Sequence, residues 1–338
     1  MVYCFPVICD MKGKIRTILR MIAGKLSVFL FCVLFISGYN ALFGRENSIV
    51  GVVLLMSLLI FLKADFGMAA VYSGALIPVL LVAMGLCAKW SALHPLLGLA
   101  IDTLFLGAVL LATRRDESRS AYLPFLMGFV MLRGYDVSGD LLWKRMVSLA
   151  VIGCFIGLVH WMFNRRTCGR AGLAALTAPL SRYGAWERWA MSLLGTLIPT
   201  MLVGDLLSIP KSMWVNLTVL SLMTPVEEEL IHRRRLRVPA TILGCVLFLT
   251  LFGWLIPQSY QTAVILLAGF LSMFITSYFI KTAYNSFSAL VTATLLLPAH
   301  TAAATRIVNN LIGAAVTVVS LFFWNRLFRR WDKSLQNS

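Results

Sequence analysis

Twelve apolar runs fill this chain from residue 27 to residue 325, parted by short breaks that hold most of its charges, prolines and turn glycines. A soluble domain of 338 residues could not cover that much apolar surface. Hydrophobic residues are 59% of the chain, charged ones 13%, and mean hydropathy is +0.85. A helix satisfies its own backbone in lipid, so the pattern predicts an all-α integral membrane protein. The runs lie at 27–43, 49–62, 67–87, 95–113, 121–133, 143–163, 187–208, 212–224, 237–256, 260–280, 284–298 and 304–325.

The basic residues orient these spans. With the N-terminus inside, 23 of the 30 Lys and Arg fall in cytoplasmic segments and 7 in outer ones. An odd number of spans would destroy that alternation, so the bias also supports the count. It accounts for the +16 net charge through cytoplasmic loops rather than nucleic acid. Both termini are expected in the cytoplasm. The first ten residues have neither the apolar length nor the cleavage site of a signal peptide. Seven cysteines show no ligand spacing, and no metal or cofactor is expected. There is no GxxxxGK[ST], HExxH or GxSxG motif, so an enzymatic role is not expected.

The expected organisation is a lead-in at 1–26, a six-span block at 27–163, a linker at 164–186, a second block at 187–325 and a tail at 326–338. Within the blocks a unit recurs: a short apolar run, a polar break, then a longer glycine-containing run. It appears at 49–62/67–87, 121–133/143–163, 212–224/237–256 and 284–298/304–325. Fourteen residues reach only about 21 Å, against a hydrocarbon core near 30 Å. The layout predicted is two parallel six-span repeats, each an inverted 3+3 arrangement with short or broken helices. Secondary transporters use such geometry, with sites at the repeat interface.

Arg145 precedes Gly153, Arg237 precedes Gly244 and Arg306 precedes Gly313, each by two helical turns. The glycines are expected to admit a neighbouring helix. The arginines are expected at the mouth of that groove, free to pair with an anion. Arg237 falls on the inner side and Arg306 on the outer, which suits two gates. Asp102 sits mid-span, where a carboxylate needs a partner or a cavity. It is read as a proton carrier or a structural hydrogen bond. Asp65 and Glu227 border breaks and are further proton-coupling candidates. Asp65, Asp136 and Asp140 are expected to pair with Lys63, Arg133 and Arg145. Asp205 is expected to anchor a helix end.

Trp214-Val-Asn-Leu-Thr218-Val, Pro225 and Arg237-Val-Pro-Ala-Thr241-Ile-Leu-Gly244 resemble the signature of the fusaric acid resistance / aromatic acid exporter (FUSC) superfamily. Arg306-Ile-Val-Asn309-Asn310-Leu-Ile-Gly313 resembles its later element. The resemblance covers about 187–325. Ala240 stands where the family has Gly, and in the first half Lys63 and Asp65 stand where an Arg is expected. The large cytoplasmic domains usual in the family are missing, which makes this a compact form. The resemblance implies a bacterial inner-membrane protein that exports aromatic carboxylates or related toxic anions, in some members with a periplasmic membrane-fusion adaptor.

Together these readings point to a proton-coupled exporter of organic anions. Arg237, Arg306, Arg145, Trp214, Thr218 and Thr241 are its expected anion and ring contacts. Membrane lipids surround it, and a homo-oligomer is left open. A passive anion channel and a non-transporting scaffold for envelope assembly stand as alternatives.

Overall fold

The computed structural model describes residues 5–116, 120–166, 168, 172, 184–225, 227–294 and 298–336. Regular structure among them is entirely helical, in twelve α-helices. They are α1 (Phe5–Phe43), α2 (Ser48–Phe61), α3 (Ala70–Ser91), α4 (Pro95–Ala112), α5 (Leu123–Gly134) and α6 (Asp140–Asn164). Then come α7 (Ala185–Leu206), α8 (Met213–Leu222), α9 (Glu227–Thr250), α10 (Gln258–Ser272), α11 (Tyr278–Ala293) and α12 (Ala299–Gln336). Among the described residues, seven helical stretches are long and apolar enough to cross a membrane: α1 from Thr17, α3, α4, α6, α7, α9 from Ile231 with its extension to Leu255, and α12 to Lys333. The chain is an all-α, multi-pass membrane protein. Most of the expected linker, 164–186, lies outside the described residues.

Local chemistry sets several helix ends. Pro95 opens α4, and the His94 ring accepts the Leu96 N–H at 3.2 Å. Asp65 accepts the Gly67 N–H at 2.8 Å in the turn between α2 and α3. Gly67 adopts φ +68° there, tight against Arg115. After Thr250, α9 loosens into a π-helical turn at Leu251–Leu255 just before Pro257.

Five helices depart from the expected bounds, among them α9, which starts at Glu227 rather than 237 and takes Arg233, Arg234 and Arg235 into a helix. The span placed at 27–43 is the end of a 39-residue helix, so the basic lead-in is continuous with it. The tail after 325 likewise continues α12 to Gln336. The run placed at 260–280 stops at Ser272, and α11 starts at Tyr278 rather than 284, taking Lys281 into a helix. The break lies inside the apolar run Phe270–Ile280, where hydropathy carries no signal. Ser272 turns its hydroxyl back onto the Gly269 carbonyl at 2.7 Å, and Ser277 precedes α11 in extended conformation.

In the first half, α3 packs on α4, α5 and α6, while α2 packs on α1, α5 and α6. In the second, α9 packs on α11 and α12, and α8 on α7, α9 and α12. The halves meet where α4 packs on α7, α5 on α8 and α1 on α10. Close approaches use small residues, as lipid-embedded helices require. Gly157 lies against the Gly74 carbonyl and Gly153 against Pro78, which seats α6 on α3.

Candidate functional site

Three helix stripes converge in the second half. On α8, Trp214, Thr218 and Ser221 follow one face at spacings of four and three. On α9 the same spacing runs through Arg237, Thr241 and Gly244, and on α12 through Arg306, Asn310 and Gly313. Gly313 lets α12 touch α8: a Cβ there would meet the Val215 carbonyl at 2.7 Å. Gly244 seats α9 against Ala283 and Ser286 of α11 in the same manner.

Polar side chains knit the stripes. The Thr218 hydroxyl lies 2.9 Å and the Thr241 hydroxyl 3.3 Å from Asn310 Oδ1. Ser286 donates to Thr241 at 3.4 Å, and Asn310 Nδ2 donates to the Arg306 carbonyl at 2.9 Å. All four side chains are buried.

At either end of this network lies a buried arginine. Arg237 is 8% exposed and Arg306 6%. Arg237 donates to Ser221 Oγ at 3.1 Å, and the Tyr278 hydroxyl is beside both. The Arg306 guanidinium lies over the Trp214 ring, 5.0 Å from its centroid, with the Tyr135 phenol within electrostatic reach. The Nε of each has no partner. Neither makes an ion pair with a carboxylate among the described residues. Arg306 instead feels the like charge of Arg237. Buried charges are normally paired, because desolvation costs several kcal/mol per ion. Two buried guanidinium groups without a carboxylate partner form a basin of positive potential inside the helix bundle.

Arg237 and Arg306 flank one ten-residue helix, α8, and reach partners only two turns apart on it. Trp214 is 2% exposed, and the Arg306 guanidinium covers one face of its ring.

Residues 198–320 match the profile of the fusaric acid resistance protein-like family. The matched segment runs from α7 into α12 and contains every residue of the arginine basin. The likeness read from Trp214, Arg237 and Arg306 is therefore shown over these residues. No curated protein and no solved structure matches the chain.

The remaining candidates fall elsewhere. Arg145 is buried on α6, where it donates to Asn47 Oδ1 at 3.1 Å and to the carbonyls of Tyr135 at 2.8 Å and Leu132 at 3.5 Å. These contacts satisfy its guanidinium with partners from the first half. Asp65 is spent on the α2–α3 turn, with its own N–H donated to Asp116. Glu227 opens α9, and its side chain is outside the described residues.

The expected acid pairings are replaced. Asp136 pairs with Lys89 at 2.8 Å and Asp140 with Lys144 at 2.8 Å. Arg133 instead bridges Asp102 and Asp205. Asp205 is thus more than a helix-end anchor. For Asp136, Lys89 was closer in space than Arg133, its neighbour in sequence, whereas Lys144 meets Asp140 at the ordinary i,i+4 spacing. Asn310, Ser221 and Tyr278 were not assigned from sequence. Asn310 stands four residues after Arg306, on the same stripe, and that spacing was the available signal.

Proposed function

We propose that the protein is an inner-membrane exporter of organic anions, aromatic carboxylates first among them. Arg237 and Arg306 attract the carboxylate, Thr218, Thr241 and Asn310 offer neutral hydrogen-bond partners, and Asp102 belongs to the proton path. The observation that carries the reading is the pair of buried arginines without a carboxylate. A bound anion is the missing counter-charge, and guanidinium groups suit it because they can grip a carboxylate by two parallel hydrogen bonds. Trp214 acts as a positioning residue that holds Arg306.

The architecture proposed has twelve spans in two parallel repeats. Helix contacts favour it. Advancing each label by six turns α4–α7 into α10–α1, and both contacts occur. It likewise turns α3–α5 into α9–α11 and α3–α6 into α9–α12. Advancing by three within the first half turns α3–α5 into α6–α2, as an inverted 3+3 unit requires.

Sidedness is coherent too. Arg188 meets Asp332, and Lys25 meets the Met273 carbonyl, all at ends assigned to the cytoplasm. Lys89 meets Asp136 at the end assigned outside. In a background without native cysteines, S138C should label with an impermeant thiol reagent added to intact cells and K333C should not. The reverse pattern overturns the orientation.

Uptake of labelled benzoate into proteoliposomes tests the function. Arg306→Ala is expected to abolish it and Arg306→Lys to weaken it, at equal amounts of inserted protein. Transport by Arg306→Ala at the wild-type rate would refute the anion site. An Asp102→Asn variant that still accumulates benzoate against its gradient would refute the coupling.

A further inference from the structure

A second polar site lies across the seam between the two halves. Asp102 of α4 and Arg133 of α5 come from the first, Asp205 of α7 from the second. Arg133 holds Asp102 through Nη1 and Asp205 through Nη2, and Nη2 also reaches the Ser91 carbonyl of α3 at 3.3 Å. Two carboxylates and one guanidinium leave a net charge of −1. Lys89 is engaged by Asp136, and Lys211 lies over the Tyr135 ring at 4.6 Å, so neither cancels it. Cys87 on α3 is within electrostatic reach of Asp102.

A cavity of about 50 Å³ opens beside this triad, lined by Arg133, Gly134, Asp205, Ser212, Met213 and Asn216. It has room for a few waters. Asn216 on α8 is 4% exposed, and its Oδ1 has no partner. Asp102 is 1% exposed, and its Oδ1 is likewise unpaired. Asn216 Oδ1 therefore awaits a donor in the cavity, while the Ser91 hydroxyl stands beside the Asp102 carboxylate. Asp205, whose side chain is 31% exposed, is open to water. Met213 and Asn216 lie on the opposite side of α8 from Trp214, Thr218 and Ser221. One short helix thus separates this acidic cavity from the arginine basin.

We infer that Asp102 and Asp205 form a single-proton site in which Arg133 is the bolt between the halves. Two carboxylates that share one cation, one of them fully buried, cannot both stay ionised as pH falls, and they take up a proton as a unit. Water delivers it at Asp205. The proton neutralises the triad and removes one of the two charged bonds to Arg133, so the tie from α5 to α7 weakens. Loss of the proton draws the seam shut. Both faces of α8 then change together, which links proton binding to the anion site. That link rests on the transport reading above; the proton site itself does not.

Infrared titration of the purified protein in detergent, with no substrate present, tests it. The wild type should show a buried protonated-carboxyl band that grows as pH falls and corresponds to one group per chain. Asp102→Asn and Asp205→Asn should each abolish it, because the carboxylate left behind has Arg133 to itself and stays ionised. A band that survives either substitution, or none in the wild type, overturns the proposal. Should either variant fail to fold, Arg133→Gln replaces it. Loss of the cation should then raise the midpoint of the band by about 1–3 pH units, and an unmoved midpoint overturns the proposal. A band without benzoate transport would retire the exporter reading alone. Coupled transport without a band would retire this inference alone.

Discussion

Arg145 and Arg306 stand at corresponding places in the two halves, each about two turns before a glycine on the last helix of its block. Their surroundings are opposite. Arg145 is met by an amide oxygen and two backbone carbonyls, from Asn47, Tyr135 and Leu132. Arg306 is met by an indole face and a second arginine. The packing differs to match. Around α2 the first half is apolar, with Val53, Leu54, Phe61, Met84, Phe125 and Phe129 all buried. Around α8 the second half is threaded by Thr218, Thr241, Ser286 and Asn310. A repeated arginine is therefore a repeated position and not a repeated site. In the first half it serves as a girder. In the second it has no carboxylate partner among the described residues.

The largest effect expected from this contrast is on Arg145→Ala. It strands Asn47 Oδ1 and the Tyr135 carbonyl in a buried place, and each lost bond to a charged donor is worth about 1.5–3 kcal/mol. A loss of stability on the order of 4 kcal/mol should follow. Low membrane yield and a fall in melting temperature in detergent would be the readouts. An Arg145→Ala protein that melts like the wild type would show that the two arginines do not differ in kind.

Arg306→Met should move stability the other way. Replacing a buried, unbalanced charge by an apolar side chain of similar length is commonly neutral or stabilising by about 1–4 kcal/mol. The variant should melt at or above the wild-type temperature without ligand. The wild type should in turn gain on adding benzoate, by about 2.7 kcal/mol at a hundredfold excess over its Kd, and the variant should not. A variant that melts lower and still responds to benzoate would place Arg306 with Arg145 among the girders.

The sequence carried the twelve helices because charge and turn residues interrupt nearly every apolar run. It missed the break near Met273 because Ser272 and Ser277 are embedded among Phe270, Phe274, Ile275 and Tyr278, and hydropathy averages over them. The arginine basin was legible as stripes, since Arg237–Thr241–Gly244 and Arg306–Asn310–Gly313 each follow one helix face. Partnership was not legible. Asp102 and Asp205 lie 31 and 72 residues from Arg133, while Asp136 is three residues away and bonds elsewhere. Sequence proximity misled because a three-residue step at the end of α5 leaves the helix and points toward Lys89.

The smallest effect sharpens the contrast inside the basin itself. Trp214→Phe keeps an aromatic ring under Arg306 but weakens the negative face that holds the cation, a change worth about 0.5–1 kcal/mol. Trp214 is 2% exposed, with one face against the guanidinium, so it cannot also receive a ligand ring. The substitution should then act through Arg306 alone. Apparent affinity for benzoate and for a non-aromatic carboxylate such as cyclohexanecarboxylate should fall together, by about two- to fivefold. A loss confined to benzoate would mean that Trp214 leaves Arg306 to stack on the substrate. The basin would then have to rearrange on binding, and Arg306, released from the indole, would approach the carboxylate from a different side of α8.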